Sequence, residues 1–132
     1  MILVTTSRKA DPLVRRIGRD LAFAAGGTYL TRGKGGLSSP PFSDGLVFVL
    51  SLDGRGVRMQ VLDRMEEGPT LRFPSVKEEP RPGPLRRGLF TGDPALLSCL
   101  GACIPVLGDP DLPEALVFDG VQGRRITLGA AP

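Results

Sequence analysis

The first 31 residues alternate short apolar runs with a longer run of helical periodicity, and this order limits the fold more than any other feature of the chain. Residues 1–5 form an apolar, partly β-branched run that predicts a buried strand. Asp11 offers an N-cap carboxylate and Pro12 suits the first helical position, so we expect a helix that begins there and ends at Gly26 and Gly27. Residues 28–31 predict a second strand. A strand, a helix and a strand in this order predict a right-handed parallel crossover.

Several of these features recur later in the chain. Asp93 and Pro94 repeat the helix start and precede a predicted helix over residues 95–103. The letters LVF occur at 46–48 and again at 116–118, each followed by Asp, Gly and a short turn into another strand. The first pair of strands is predicted at 46–52 and 57–62, around an Asp-Gly turn. The repetition predicts two similar α/β halves, each a β-sheet packed with helices, at about residues 1–65 and 66–132.

The positive charge of the chain is concentrated at its N-terminal end. Residues 1–34 hold seven basic and two acidic residues, a net charge of +5, whereas residues 35–132 hold ten basic and twelve acidic residues, a net charge of −2. A local surplus of this kind is the electrostatic pattern expected of a site for a polyanion, and a solvated basic helix face is the alternative. Because the apolar stripe of the first helix faces the core, Arg15, Arg16 and Arg19 should point largely away from it.

Composition excludes several functional classes. The 132 residues include no His, so the usual general base near neutral pH is missing and no catalytic residue is predicted. Cys99 and Cys103 lie four positions apart without a second pair, which favours buried thiols over a zinc site or a disulfide. The segment TRGKGG lacks the first Gly and the Ser or Thr of a nucleotide-binding P-loop. We therefore expect no metal and no cofactor, and the absence of a long apolar run predicts a cytoplasmic location.

The exit of the first strand is the best candidate for binding an anion. In a parallel crossover, ligands tend to bind at the carboxyl ends of strands, where helix N-termini also direct their N–H groups. Ser7, Arg8, Lys9 and the helix that begins after Asp11 would meet there. A capped turn with solvated basic side chains is the alternative interpretation.

The same residues carry a resemblance to a known family. The stretch ILVTTSRKADPLVRRIGRDLA, followed by YLTRGKGGL, closely resembles the opening of archaeal Brix-domain proteins, which are ribosome biogenesis factors. EGPTLRF at residues 67–73 is similar to a Gly-Pro-Thr element near the middle of that family. The chain departs from the family at Ala10, where a Pro is common, and in GGLSSPPFSD, where a helix is common.

The resemblance implies a single Brix domain over residues 1–132 that has two halves, each akin to the anticodon-binding domain of class IIa aminoacyl-tRNA synthetases. It also implies ribosomal RNA binding during rRNA processing or subunit assembly, without catalysis. The matching positions Ser7, Arg8, Lys9, Arg32 and Lys34 would lie near the RNA. Arg15, Arg16 and Arg19 join this predicted RNA-binding set on charge and helix face alone. The expected partner is ribosomal RNA or a pre-ribosomal particle.

Two other functional classes remain open from the sequence. A protein-binding module that recruits other assembly factors through a sheet edge or an apolar groove is the main alternative. An enzyme acting on nucleotides or small acids ranks below it, because Glu66-Glu67 and Glu78-Glu79 lie in predicted solvated loops.

Overall fold

The computed structural model describes residues 2–7, 9–31, 37 and 42–129. Within these residues the chain forms two α-helices, a short 3-10 helix at Phe42–Asp44 and ten strands. The helices are α1 (Pro12–Ala25) and α2 (Pro94–Gly101). The strands are β1 (Ile2–Thr6), β2 (Thr28–Tyr29), β3 (Leu46–Asp53), β4 (Gly56–Asp63), β5 (Glu66–Phe73), β6 (Ser75–Pro80), β7 (Leu89–Thr91), β8 (Leu107–Gly108), β9 (Ala115–Asp119) and β10 (Arg124–Gly129).

Both ends of α1 follow from the local sequence. Asp11 Oδ1 accepts a hydrogen bond from the backbone N–H of Leu13 at 2.8 Å, and Pro12 occupies the first turn. Gly26 ends the helix in the left-handed conformation, with φ of 73°, which a residue with a side chain adopts at a cost. The buried stripe comprises Val14, Ile17, Leu21, Ala22 and Ala24. The start and the end of α1 are therefore those that the Asp-Pro and Gly-Gly pairs predict.

The first sheet has the strand order β2-β1-β3-β4-β5. Both β2 and β3 run parallel to β1, so the predicted strand-helix-strand crossover is present. The predicted hairpin is β3 and β4, with Asp53 opposite Gly56. A second two-residue turn at Arg64 and Met65 leads into β5, which forms the far edge of the sheet.

The second sheet repeats this spatial order as β8-β7-β9-β10-β6, with one difference in direction. β9 runs antiparallel to β7, whereas its counterpart β3 runs parallel to β1. Residues 30–45 join β2 to β3, but residues 109–114 alone join β8 to β9. A strand parallel to its neighbour needs a return crossover of about a dozen residues or more, and this short connection cannot supply it. The two halves are thus similar in strand order but not in every strand direction.

The two sheets share one main core. β5 and β6 are separated by Pro74, so the chain passes from the first sheet to the second there, whereas the sequence places the division of the halves near residue 65. The principal cluster of buried side chains contains Ile17 of α1, Phe48 of the first sheet and Phe118 of the second. A smaller cluster around Phe42 and Val47 covers the opposite face of the first sheet. Because α1 also contacts β9, it lies between the halves and carries its arginines to their junction.

Candidate nucleic-acid interface

The exit of β1 precedes the capped N-terminus of α1. The backbone N–H of Ser7 donates to Leu50 O at 3.0 Å, which extends the pairing of β1 with β3 beyond Thr6. Lys9 is exposed, and Asp11 already accepts the N–H of Leu13 at the start of α1. Arg8 lies outside the described residues. The described part of the strand exit therefore presents one exposed cation beside a helix end whose cap is a carboxylate.

The carboxyl end of β2 lies at the same edge of the sheet. β1 and β2 are parallel, and the N–H of Leu30 donates to Val4 O at 3.0 Å, so the chain leaves both strands in one direction. Arg32 and Lys34 follow Thr31 but lie outside the described residues. The predicted convergence of Arg8, Arg32 and Lys34 stays a prediction.

The three arginines of α1 occupy different environments. Arg15 is exposed. Arg16 is half-buried, and its Nη2 forms an ion pair with Glu78 Oε2 of β6 at 3.3 Å. Arg19 is exposed, and its guanidinium lies over the ring of Tyr29, 5.5 Å from the ring centre. Arg15 and Arg19 thus point away from the core as predicted, whereas Arg16 joins α1 to the second sheet.

A cleft of about 280 Å³ separates α1 from the turn between β9 and β10. Arg16, Arg19 and Asp20 line it from the helix, and Val121, Gln122 and Arg124 line it from the turn. Arg124 Nη2 donates to Gln122 Oε1 at 3.0 Å. Arg19 and Arg124 form no ion pair within the described residues, so the cleft presents positive charge from both halves.

Asp20 forms the floor of this cleft and joins its two sides. Its side chain is buried at 5% exposure, and Oδ1 accepts the backbone N–H of Val121 at 3.2 Å. Oδ2 is buried without a hydrogen-bond partner among the described residues. Burial raises the pKa of Asp20, although the Val121 N–H and the positive charge of Arg124 act in the opposite direction. Gly120 packs directly on the carboxyl group, where a Cβ would overlap it.

A second buried carboxylate, Asp119, lies at the end of β9. Arg125 Nε donates to Asp119 Oδ1 at 2.8 Å, and the backbone N–H of Arg86 donates to Oδ2 at 3.0 Å. Burial alone would raise the pKa of Asp119, but these hydrogen bonds outweigh it and hold the pKa below its usual value. The same pairing raises the pKa of Arg125. This contact fixes the segment that carries Arg86 and Arg87 against the second sheet.

One further arginine extends the basic region beyond the cleft. Arg87 Nε donates to Phe23 O of α1 at 3.0 Å, and its guanidinium lies over the Phe23 ring. Arg125 follows Arg124 in β10 and therefore points to the opposite face of the second sheet, where it pairs with Asp119. We call the region around the cleft the arginine surface; it comprises Arg16, Arg19, Arg87 and Arg124.

Sequence reasoning missed Arg87 and Arg124, which the second half contributes to the arginine surface. Counted along the chain, residues 35–132 are net negative, which concealed these side chains. The available signal was the Arg-Arg pair at 86–87 and at 124–125, each beside a glycine.

Two other kinds of site are absent from residues 2–7, 9–31, 37 and 42–129. No group of three or more His, Cys, Asp or Glu side chains there is arranged to hold a metal ion. No helix in that part of the chain has the length and apolar character to cross a membrane. Cys99 and Cys103 are free, partly buried thiols.

Comparison with solved structures identifies a protein of similar fold. The crystal structure of Mil, an archaeal Imp4-like protein, matches 97% of this chain and 96% of its own with a TM-score of 0.68 at 21% sequence identity. No family model and no curated protein matches the sequence. At this identity the likeness concerns the mixed α/β fold with its two five-stranded sheets.

Proposed function

We propose that this chain is a non-enzymatic ribosome biogenesis factor that binds pre-ribosomal RNA through a basic surface, in the cytoplasm, during rRNA processing or subunit assembly. Its fold is similar to that of an Imp4-like protein over almost the whole length of both chains. Its first 73 residues resemble Brix-domain proteins, whose halves are akin to synthetase anticodon-binding domains. One support rests on the backbone and the other on sequence motifs.

The main structural support for this proposal is the cleft between α1 and the β9–β10 turn. Arg19 and Arg124 stand on its two sides without ion pairs among the described residues. A guanidinium group is a planar donor that binds phosphate oxygens through two hydrogen bonds, and it keeps its charge at every physiological pH. A phosphate of an RNA backbone placed between them would receive donors from both halves at once.

The side chains of the cleft favour recognition of the RNA backbone over base stacking. The sequence has no Trp and one Tyr, and Tyr29 already lies beneath the Arg19 guanidinium. Proteins that bind RNA by stacking present exposed aromatic rings to successive bases. Contacts to phosphates depend on the shape of the RNA and little on its sequence.

A salt series with rRNA fragments tests the proposal. Binding should weaken steeply as salt rises, because each phosphate contact releases a counterion. The double variant Arg19→Gln/Arg124→Gln should bind more weakly and reduce the slope of log affinity against log salt by roughly one to two. Arg64→Gln is the matched control, since Arg64 is exposed in the β4–β5 turn, outside the arginine surface.

Two results would overturn the proposal: no measurable binding to rRNA fragments at low salt, or binding whose slope is the same in the double variant and the unmodified protein. The variants Arg8→Gln and Lys9→Gln measure the contribution of the strand exit separately. A reduced slope in these variants would extend the RNA-binding surface to the β1 edge.

A further inference from the structure

β5 is an eight-residue strand whose second edge has no partner among the described residues. One edge pairs with β4, and no other described strand pairs with β5. The pairing with β4 is interrupted by a bulge opposite Val61, and Pro69 within it has no N–H to offer. From Thr70 to Phe73 the pairing is regular again. An incoming strand could therefore pair with this last part of β5.

The strand register determines which backbone groups reach that open edge. Asp53 and Gly56 flank a two-residue turn and form a hydrogen-bonded pair, and such pairs alternate along an antiparallel ladder. By this alternation, Leu71 and Phe73 bond to β4. The N–H and C=O groups of Thr70 and Arg72 then point away from β4, and both residues are exposed.

Two cavities follow one another between β5 and α2. The first, of about 270 Å³, is lined by Leu71 and Phe73 of β5 and by Leu96 and Cys99 of α2. The second, of about 340 Å³, lies beside the opposite ends of the same two elements, at Pro69 and at Cys103. We call this pair of cavities the β5 groove; mainly apolar side chains line the first cavity, whereas carboxylates line much of the second.

The rim of the β5 groove is acidic. Its lining carboxylates are Asp63, Glu66, Glu67, Asp93 and Glu114. None of them forms an ion pair within the described residues. Arg72 is the basic residue among the described lining residues, and its Nη1 is already held by Asp53 Oδ2 at 2.8 Å. Arg64, exposed in the β4–β5 turn, is a further positive charge near Asp63 and Glu66.

We propose that the β5 groove binds an extended, basic segment of a partner protein, which adds a strand to β5 and alternates Lys or Arg with apolar residues. Backbone pairing with Thr70 and Arg72 would provide affinity, and the apolar side chains would enter the groove beneath α2. The alternate positive side chains would point to the other face of the sheet, where Glu67 lies opposite Leu62, and the remaining rim carboxylates would attract the segment through its net charge. This binding site is separate from the arginine surface and does not depend on RNA binding.

The acidic charge of the rim favours a basic protein segment over two other candidate ligands, an RNA strand and a second copy of this chain. An RNA strand would bring phosphates against the five carboxylates of the rim, which is repulsive. A second copy of this chain, paired through β5, would bring its own five rim carboxylates toward those of the first copy, and like charges close together repel.

The test uses a labelled peptide in which Lys and Val alternate over the length of β5, and a control peptide in which Glu replaces each Lys. The Lys-Val peptide should bind, and amide hydrogen exchange at Thr70 and Arg72 should slow when it does. The Leu71 amide, already bonded to β4, should change little. Failure of the Lys-Val peptide to bind, equal binding of the Glu-Val peptide, or binding without protection of Thr70 and Arg72 would each overturn the proposal.

Variants locate the binding further. Thr70→Pro removes an N–H directed at the peptide and leaves the β4 ladder intact, and it should abolish binding. The double variant Glu67→Gln/Glu114→Gln should weaken peptide binding roughly three- to tenfold, as expected for the loss of two rim charges. This measurement remains informative if the Thr70→Pro variant does not fold. Asp111→Asn is the matched control, because Asp111 is exposed and lines neither cavity.

A variant of the arginine surface separates this proposal from RNA binding. The Arg19→Gln/Arg124→Gln variant should bind the Lys-Val peptide with unchanged affinity. Weaker peptide binding by this variant, or a concentration-dependent dimer that protects Thr70 and Arg72 without peptide, would overturn the assignment of the groove to a basic segment.

Discussion

Replacing Asp20 by Asn should preserve the junction between α1 and the β9–β10 turn while removing a buried negative charge. Asp20 is 5% exposed, and its Oδ1 accepts the Val121 N–H at 3.2 Å. An Asn at this position can accept the same hydrogen bond. Asp20 Oδ2 has no hydrogen-bond partner among the described residues. In the Asn variant a neutral amide group takes the place of this ionised oxygen. Burial of an unpaired neutral group costs less free energy than burial of an unpaired charge.

The free energies of unfolding of two Asp20 variants distinguish the contribution of the hydrogen bond to Val121 from that of the buried charge. For Asp20→Asn, the free energy of unfolding at pH 7 should equal that of the unmodified protein or exceed it by up to about 1 kcal/mol. For Asp20→Ala, the buried Val121 N–H loses its acceptor, and the free energy of unfolding should fall by about 1–3 kcal/mol. Comparison of the two variants therefore isolates the contribution of the bond across the junction.

The pH dependence follows from the raised pKa of Asp20. Between the ordinary value of 3.8 and the higher value in the folded protein, the folded state binds more protons than the unfolded state. In that range stability falls as pH rises, because Asp20 must ionise while buried. Any gain in stability from Asp20→Asn should therefore be present at neutral pH and disappear as the pH falls below the range between these two pKa values.

Urea unfolding at neutral and acidic pH, followed by circular dichroism, measures these differences. If Asp20→Asn were less stable than the unmodified protein by more than about 1 kcal/mol at pH 7, the ionised carboxylate would be stabilising through Arg16 and Arg124, and the argument from burial would be wrong. The same variant should bind rRNA fragments more tightly, because a negative charge has left the floor of the cleft. RNA binding weaker than that of the unmodified protein would contradict this reading of the cleft.

Two further substitutions, Gly120→Ala and Arg125→Met, test the contacts of the two buried carboxylates Asp20 and Asp119, and Gly54→Ala serves as a control for the first. Gly120→Ala should lower the free energy of unfolding by about 1–3 kcal/mol, because the new methyl group overlaps the Asp20 carboxyl group. Gly54→Ala, whose Cβ meets no atom within 4 Å, should change stability far less in the same denaturant assay. Arg125→Met should cost about 3 kcal/mol at pH 7 by leaving Asp119 charged and buried, with a smaller cost in acid, where Asp119 is protonated. A cost independent of pH would contradict that explanation.

Local signals in the sequence were sufficient for the elements themselves. The Asp-Pro pair and the Gly-Gly pair mark the ends of α1 because capping involves residues that are neighbours in the chain. The Asp-Gly turn marks the β3–β4 hairpin for the same reason. The mixed α/β class with two sheets follows from the order of these elements.

Strand direction and the composition of the arginine surface could not be predicted in the same way. The repeated LVF segments suggested equivalent strands, but β9 runs antiparallel to β7 because the connection over residues 109–114 is short. Arg124 was not predicted because Asp20 binds the N–H of Val121 across 101 positions of the chain. A count of charge along the sequence contains no information about such a contact.

The junction between the halves explains why Arg19, Arg87 and Arg124 lie close to α1 on one surface. α1 contacts β9, Asp20 holds the β9–β10 turn, and Arg87 binds Phe23 O, so the segments that carry Arg19, Arg87 and Arg124 are held together by bonds between the halves. The β5 groove has a different origin, because it lies where the first sheet ends beside α2. The duplicated plan thus gives a basic surface where the halves meet and an acidic groove where one sheet remains open. Under the two proposals, RNA and a basic protein segment would bind at separate surfaces of the protein.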